Sequence, residues 1–243
     1  MIDPRESVVQ RRLAGVARVA AVCSAKGGVG KTLCTAVGGV ALASLGRRVG
    51  ILDLDLPGST AHLFLGVAPG LPEEEKGILP VAVTDNLCLM SAALFAGNRA
   101  LPLRGPEISD AIREILAVTR WGELDVLLID MPPGIGEEIL DLARLVPRLE
   151  AIVVSTPSAA SIAVVERLLA FLAEMKVRTS GLIANMVQGD AAAVRALAAR
   201  FGVPLLGTVE FEPGLERAIG SPDLLRTSNA AAVLGTALQE VRG

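Results

Sequence analysis

The sequence is short of cysteine, of histidine and of long apolar runs, and each shortage excludes a class of protein. Cys23, Cys34 and Cys88 are three in number and far apart, which fits reduced thiols and not a disulfide framework. The one histidine, His62, has no metal-ligand partner spaced near it, so a structural or surface role is expected over a metal site. No run of about 18 uncharged apolar residues occurs, and a transmembrane helix is not expected. Arg11-Arg12 and the apolar residues after it imitate a secretory signal. Arg18 interrupts that stretch, Asp3 and Glu6 precede it, and cleavage would remove a strand the chain needs. A cytosolic protein is therefore predicted. The formal net charge is −3; there is no basic excess for a DNA backbone, and nucleic acid is not an expected partner. Arg11-Arg12 and Arg47-Arg48 read as solvated surface.

What the chain has in quantity is apolar residues, 51% against 20% charged. A parallel sheet covered on both faces has this balance, because its strands are apolar on both sides. At about 150 residues per domain, 243 residues allow one large α/β domain or two small ones.

One stretch organises the rest. The apolar run from Arg18 to Ser24 leads into Lys26-Gly27-Gly28-Val29-Gly30-Lys31-Thr32, which opens a helix-like segment from Leu33 to Leu45. Strand, glycine loop and helix in that order form a phosphate-binding context. Backbone N–H groups turn inward, the helix N-terminus adds its dipole, and a lysine meets the polyphosphate. Lys31 is expected on the β and γ phosphates and the Thr32 hydroxyl on Mg²⁺. Ala25 stands where the strict pattern wants glycine, and Lys26 is a surplus cation at the loop's mouth.

Downstream, Val49 to Asp53 reads as a short strand after the helix-stopping Gly46, and loop signals fill 57 to 76, including Pro57-Gly58-Ser59. A less regular cycle follows, with Asn86 to Met90 as strand and Ser109 to Arg120 as helix. Val126 to Asp130 is a buried strand ended by a proline turn. Strands at 151–155, 181–185 and 204–209 then alternate with helices at 161–175 and 190–201. That alternation predicts right-handed crossovers and a doubly wound, mainly parallel sheet with helices on both faces, the P-loop NTPase architecture. No linker divides residues 1–243, so one domain is expected, with 1–15 as a mobile arm or a short helix.

Ligands of such sheets bind beyond the carboxyl ends of the strands, where Asp53, Asp55 and Asp130 fall. Asp53 and Asp55 are two residues apart, so an extended backbone points both the same way, roughly 6–7 Å apart. Asp130, ending an apolar strand before Met131-Pro132-Pro133-Gly134, matches the second phosphate-site motif, which holds Mg²⁺ through water. Gly134 and Gly136 let backbone approach a γ-phosphate. Trp121 reads as a packing anchor.

Ser24 to Thr32, Asp53-Leu54-Asp55, Ile129-Asp130-Met131-Pro132-Pro133-Gly134-Ile135-Gly136, Ser155-Thr156-Pro157 and Ala184-Asn185-Met186 together resemble the Mrp family of ATPases. That family belongs to the deviant-loop class that also holds MinD, ParA and the nitrogenase iron protein. The motifs come in the family's order over residues 18–220. The resemblance implies that Lys26 crosses a homodimer interface to phosphates bound in the other subunit. It further implies that Asp55 orients the attacking water, that Asp53 and Asp130 stabilise Mg²⁺, and that Gly134 sits in a γ-phosphate-sensing loop. The phosphate contacts fall to Gly27, Gly28, Val29, Gly30, Lys31, Thr32 and Leu33. Asn185 would meet adenine, helped by backbone near Glu210, Phe211 and Pro213. Guanine readers place an aspartate three residues after the asparagine; Gln188 stands there, which favours ATP/ADP.

The family's iron–sulfur ligands are a Cys-x-x-Cys pair after the asparagine–methionine pair, where this chain reads Val187-Gln188-Gly189-Asp190-Ala191-Ala192. A shared cluster needs two thiolates per subunit, so the departure weighs against cluster carriage and leaves ATP hydrolysis untouched. All three cysteines read as core thiols. The leading expectation is a Mg²⁺-dependent ATPase serving iron–sulfur or metal-cofactor assembly through a client protein. The alternative is a MinD- or ParA-like positioning switch. A MinD-like end would be a basic amphipathic helix, whereas 228–243 offers only Arg242 as a cation. A small-molecule kinase of the same fold would have no use for Lys26.

Overall fold

The computed structural model describes residues 3–56, 58–96 and 105–240; Pro57 and Arg242, both used above, lie outside the described residues. Helix α1 (Pro4–Arg12) precedes β1 (Val19–Cys23), the glycine loop, α2 (Lys31–Ser44), β2 (Val49–Asp53) and the single turn α3 (Ala61–Phe64). Strands β3 (Val81–Thr84) and β4 (Leu87–Ser91) form a hairpin, followed by α4 (Ala93–Ala96) and α5 (Pro106–Val118). Then β5 (Val126–Asp130), α6 (Glu137–Leu145), β6 (Leu149–Ser155), α7 (Ala159–Glu174), β7 (Arg178–Val187), α8 (Ala192–Arg200) and β8 (Leu205–Glu210) alternate. A 3₁₀ turn (Pro213–Ala218), α9 (Pro222–Arg226) and α10 (Asn229–Glu240) complete the described chain.

The eight strands form one sheet in the order β3-β4-β2-β5-β1-β6-β7-β8. Only the β3–β4 pair is antiparallel, so the doubly wound, mainly parallel sheet expected from the alternation is what the chain forms. Along β1, Val19, Ala21 and Cys23 enter one apolar layer while Ala20 and Val22 enter the other. This two-sided burial is why the strand reads as a continuous apolar run. Helices α1 and α5 to α8 cover the first layer; α2, α9 and α10 cover the second. On α2, a Cβ at Gly38 would lie 2.4 Å from Leu238 Cδ1, and one at Gly39 would lie 2.6 Å from Ile51 Cδ1. The two glycines let α2 settle between α10 and the sheet.

Of the two alternatives for residues 1–15, a mobile arm or a short helix, the structure has the helix. It spans residues 4–12, capped by the Asp3 carboxylate on the Arg5 N–H and anchored by the buried Val9 against α5 and α6. Strand β3, between the expected loop at 57–76 and the expected strand at 86–90, carries an alternation only four residues long and no strand is expected there from sequence. Helix α6 follows the proline turn within a few residues, and its apolar face, Ile139, Leu142 and Leu145, packs into the first layer. Among the described residues no helix is long and apolar enough to cross a membrane.

Candidate functional site

Strand β1 lies between β5 and β6, with the chain departing to opposite sides of it. A crevice at the carboxyl ends is the consequence, and the glycine loop leaves β1 into it. Gly28 and Gly30 take φ of +79° and +80°, which only glycine adopts without strain. The turn they make brings the loop back over the first turn of α2. A cavity of about 300 Å³ is lined by Ser24, Lys26 to Leu33, Asp55, Thr60, Phe64, Pro133 and Met186. Lys26 is exposed at its rim, whereas Lys31 is buried.

Asp130 is the centre of the polar network. Its carboxylate is fully buried, and such burial is costly without a cation and hydrogen-bond donors around it. Lys31 Nζ lies 2.7 Å from Oδ1, and the Thr32 hydroxyl donates to Oδ2 at 2.6 Å. The Thr35 hydroxyl stands 3.2 Å from Oδ1 and 3.1 Å from the Lys31 carbonyl. Asp55 Oδ2 is 4.0 Å from Lys31 Nζ, on the cavity wall. Burial pushes the Asp55 carboxyl above the usual carboxylate range, with the Lys31 charge opposing.

Sheet register sets Asp53 beside Asp130 at the ends of β2 and β5. Asp53 does not line the cavity as Asp55 does. Its oxygens accept from the Asp55 and Ala61 N–H groups, each at 3.1 Å, and from the Ser91 hydroxyl at 3.3 Å. Burial first, and the Asp130 charge second, push its carboxyl up to about 7. Asp53 thus braces the start of α3 behind the cavity. The turn after Asp130 is laced to the loop's base: the Met131 N–H donates to the Val22 carbonyl and the Gly134 N–H, at φ +121°, to the Ser24 carbonyl.

A second, apolar cavity of about 180 Å³ adjoins the first and shares Leu33, Phe64 and Met186 with it. Its walls include Asn185, Glu210, Phe211, Pro213 and Leu215. The Phe211 N–H bonds the Val187 carbonyl at 3.0 Å, which holds the segment after β8 against the end of β7. Met186 sits in the left-handed region at φ +54°, where β7 slips register against β8; such a residue costs about 1–2 kcal/mol. Asn185 Nδ2 donates to the Val29 carbonyl at 2.8 Å.

With that geometry in view, a profile of the ParA family, described as NUBPL iron-transfer P-loop NTPases, matches residues 15–241. The chain belongs to this family. Among ParA-family relatives, an iron–sulfur cluster carrier protein of Mycobacterium bovis is 33% identical, over 98% of this chain and 68% of its own length. The cytosolic Fe-S cluster assembly factor NUBP2 of Bos taurus is 35% identical over 85% and 84% of the two chains. A nucleotide-binding protein from Archaeoglobus fulgidus, solved with ADP, superposes with a TM-score of 0.78 at 27% identity and covers 93% and 95% of the chains. The cell-division ATPase MinD of Pyrococcus furiosus shares the fold at a TM-score of 0.67 and 19% identity, over 93% and 98%.

The ParA-family chain offers hydroxyl and carboxylate oxygens at the mouth of its loop, the hard donors that suit Mg²⁺. Among the described residues there is no cage of three or more acidic, histidine or cysteine ligands. Magnesium bound with a nucleotide needs none, since phosphate and water supply most of its shell. Around the phosphate cavity, Thr35, Thr60 and Phe64 were missed from sequence. Thr35 was findable, because it lies one helical turn from Lys31 and so on the same face; Thr60 and Phe64 carry no local signal. His62 is buried, with Nδ1 lacking a partner among the described residues, and it lines neither cavity. Trp121 is buried in the first apolar layer, as an anchor should be.

Proposed function

We propose that this chain is a Mg²⁺-dependent ATPase of the cytosol that closes as a homodimer around ATP and serves iron–sulfur cluster or metal-cofactor assembly. The observation that supports this most is the convergence of Lys31, Thr32 and Thr35 on Asp130 at the glycine loop, with Asp55 on the facing wall. Phosphoryl transfer asks of a protein little beyond position and charge. Lys31 turns from Asp130 to the β and γ phosphate oxygens, and the loop N–H groups complete the cradle. Thr32, with Asp130 acting through water, would hold the magnesium, which when bound neutralises charge on the phosphates, while Asp53, expected from the resemblance to share that role, instead braces the start of α3. Asp55 orients a water oxygen against the γ phosphorus as the bond to the bridging oxygen breaks. Gly134, tied to Ser24, reports whether the γ-phosphate is present. Lys26 of the partner subunit supplies the remaining positive charge, which accounts for a second lysine exposed at the rim of its own pocket.

Iron–sulfur chemistry enters as a service to a client and not as ligation by this chain's own thiols. Cys23 faces one apolar layer, Cys34 the other, and Cys88 lies along β4. No two of them offer the exposed thiolate pair that a shared cluster needs. The relatives' names support the pathway, and ligands supplied by a client protein fit a chain that reads Val187-Gln188-Gly189-Asp190-Ala191-Ala192 where the family has its cysteine pair.

Lys26→Ala tests the dimer mechanism. Turnover falls by roughly 100-fold or more, as for loss of a cation supplied in trans, and light scattering no longer shows ATP-dependent dimers. ATP binding by the monomer stays within about threefold, since an exposed rim lysine adds little to it. Unchanged hydrolysis would remove the mechanism.

A further inference from the structure

We propose that Asn185 is a positioning residue for the phosphate loop, holding the Val29–Gly30 peptide in the orientation that turns its N–H toward polyphosphate. The inference rests on reading the loop as an ATP site, and it gives Asn185 work that needs no contact with the base.

Two contacts fix the loop from the same side chain. Asn185 Nδ2 donates to the Val29 carbonyl at 2.8 Å. It also occupies the space above Gly30, where a Cβ would lie 2.3 Å from Nδ2 and 3.1 Å from Met186 Cε. A trans peptide points its carbonyl and its N–H in opposite directions. With the Val29 carbonyl held toward Asn185, the Gly30 N–H is directed away from it, and Gly30 itself lines the phosphate cavity. The next two residues, Lys31 and Thr32, open α2 from that fixed peptide. A rotation of the peptide would replace a donor with a carbonyl oxygen facing phosphate.

The anchor is itself rigid. Asn185 is buried near the end of β7, and its strand is bent there by the left-handed Met186 and the register slip against β8. A bulge of this kind re-aims a side chain at a functional site. The bent strand aims Asn185 at the loop, and Met186 packs beneath it between the two cavities.

A ligand without a base separates the roles. Binding of Mg·ATP and of Mg·tripolyphosphate is measured for the wild-type chain and for Asn185→Ala. Positioning predicts that both affinities fall by a similar factor, on the order of tenfold, because a buried carbonyl loses its donor and the loop its hold. If ATP weakens while tripolyphosphate does not, Asn185 serves the base alone and the inference fails; if neither weakens, it fails too. A wild-type protein that binds neither ligand instead overturns the reading of the site. Asn185→Asp keeps the side chain's volume but turns an oxygen on the Val29 carbonyl. It repeats the paired loss in a variant whose packing is preserved, and retention of tripolyphosphate affinity in that folded variant would overturn the proposal.

Discussion

The two adjoining cavities are built in different ways. The phosphate cavity takes most of its wall from one continuous stretch, Ser24 and Lys26 to Leu33, with Asp55, Thr60 and Pro133 added at the strand ends. The apolar cavity draws on α2, α3, β7, β8 and the 3₁₀ turn, residues from Leu33 to Ile219. One is made chiefly of backbone N–H groups and a paired charge, and the other of side-chain surface. Phosphate recognition is therefore local in sequence and tied to one buried ion pair, whereas base recognition is an outcome of tertiary packing.

The sharpest way to break that contrast is to remove the charge. Lys31→Met is expected to lower phosphate release by roughly a thousandfold, the scale of losing a cation that stabilises the transferring group. It also strands the fully buried Asp130, whose only ion-pair partner among the described residues is Lys31. The cost is about 3 kcal/mol, seen as a lower denaturant midpoint. Adding Asp130→Asn to Lys31→Met restores much of the stability and none of the turnover. Equal recovery of both would mean that the pair holds the fold and does not serve phosphate.

The same contrast decides what was legible. The loop, the strand-end aspartates and the proline turn are short motifs whose residue types are dictated by φ angles and charge; the loop and Asp55 line one cavity, whereas Asp53, expected to point the same way as Asp55, is turned behind it. The β1, β2 and β5 strands were found because burial on both faces leaves an uninterrupted apolar run. Phe64 and Leu215 were invisible, because nothing in their own neighbourhoods says that Gly220 donates to the Phe64 carbonyl and brings α3 beside the 3₁₀ turn. Asp53 shows a subtler limit. Its type and place were readable, but its hydrogen bonds to Ala61 and Ser91 depend on α3 and β4 arriving beside it.

Phe211 offers the complementary cut. The residue is 50% exposed and lines only the apolar cavity. Phe211→Ala should weaken ATP about three- to tenfold, the worth of a half-buried ring against a base. Tripolyphosphate affinity should not change, the reverse of the Asn185→Ala pattern. Parallel loss of both ligands would show that the two cavities act as one.

The smallest effects are expected behind the phosphate cavity, where Cys23 ends β1 and Cys34 lies one turn into α2. Burial pushes the Cys23 and Cys34 thiols up to about 12, and that of Cys88 to about 11. In the native protein at neutral pH a maleimide should leave Cys23 and Cys34 unlabelled and react only slowly at Cys88, with all three labelled in urea. Anaerobic incubation with iron and sulfide should give no stable absorbance near about 400 nm, since soft thiolate ligands are withheld. For Cys23 and Cys88 the pH dependence has a definite sign. Each folded-state value lies above the unfolded value of about 9, so the folded chain keeps a proton that the unfolded chain releases. Stability is then unaffected below pH 9 and falls as the pH rises from there toward 11 and 12. Cys23→Ala removes part of that alkaline slope while leaving a small cavity. A slope that survives Cys23→Ala and Cys88→Ala together would locate the titrating group elsewhere. Rapid native labelling of Cys23 would show that the wall behind the phosphate loop opens, and that the loop is less firmly backed than its ion pair implies.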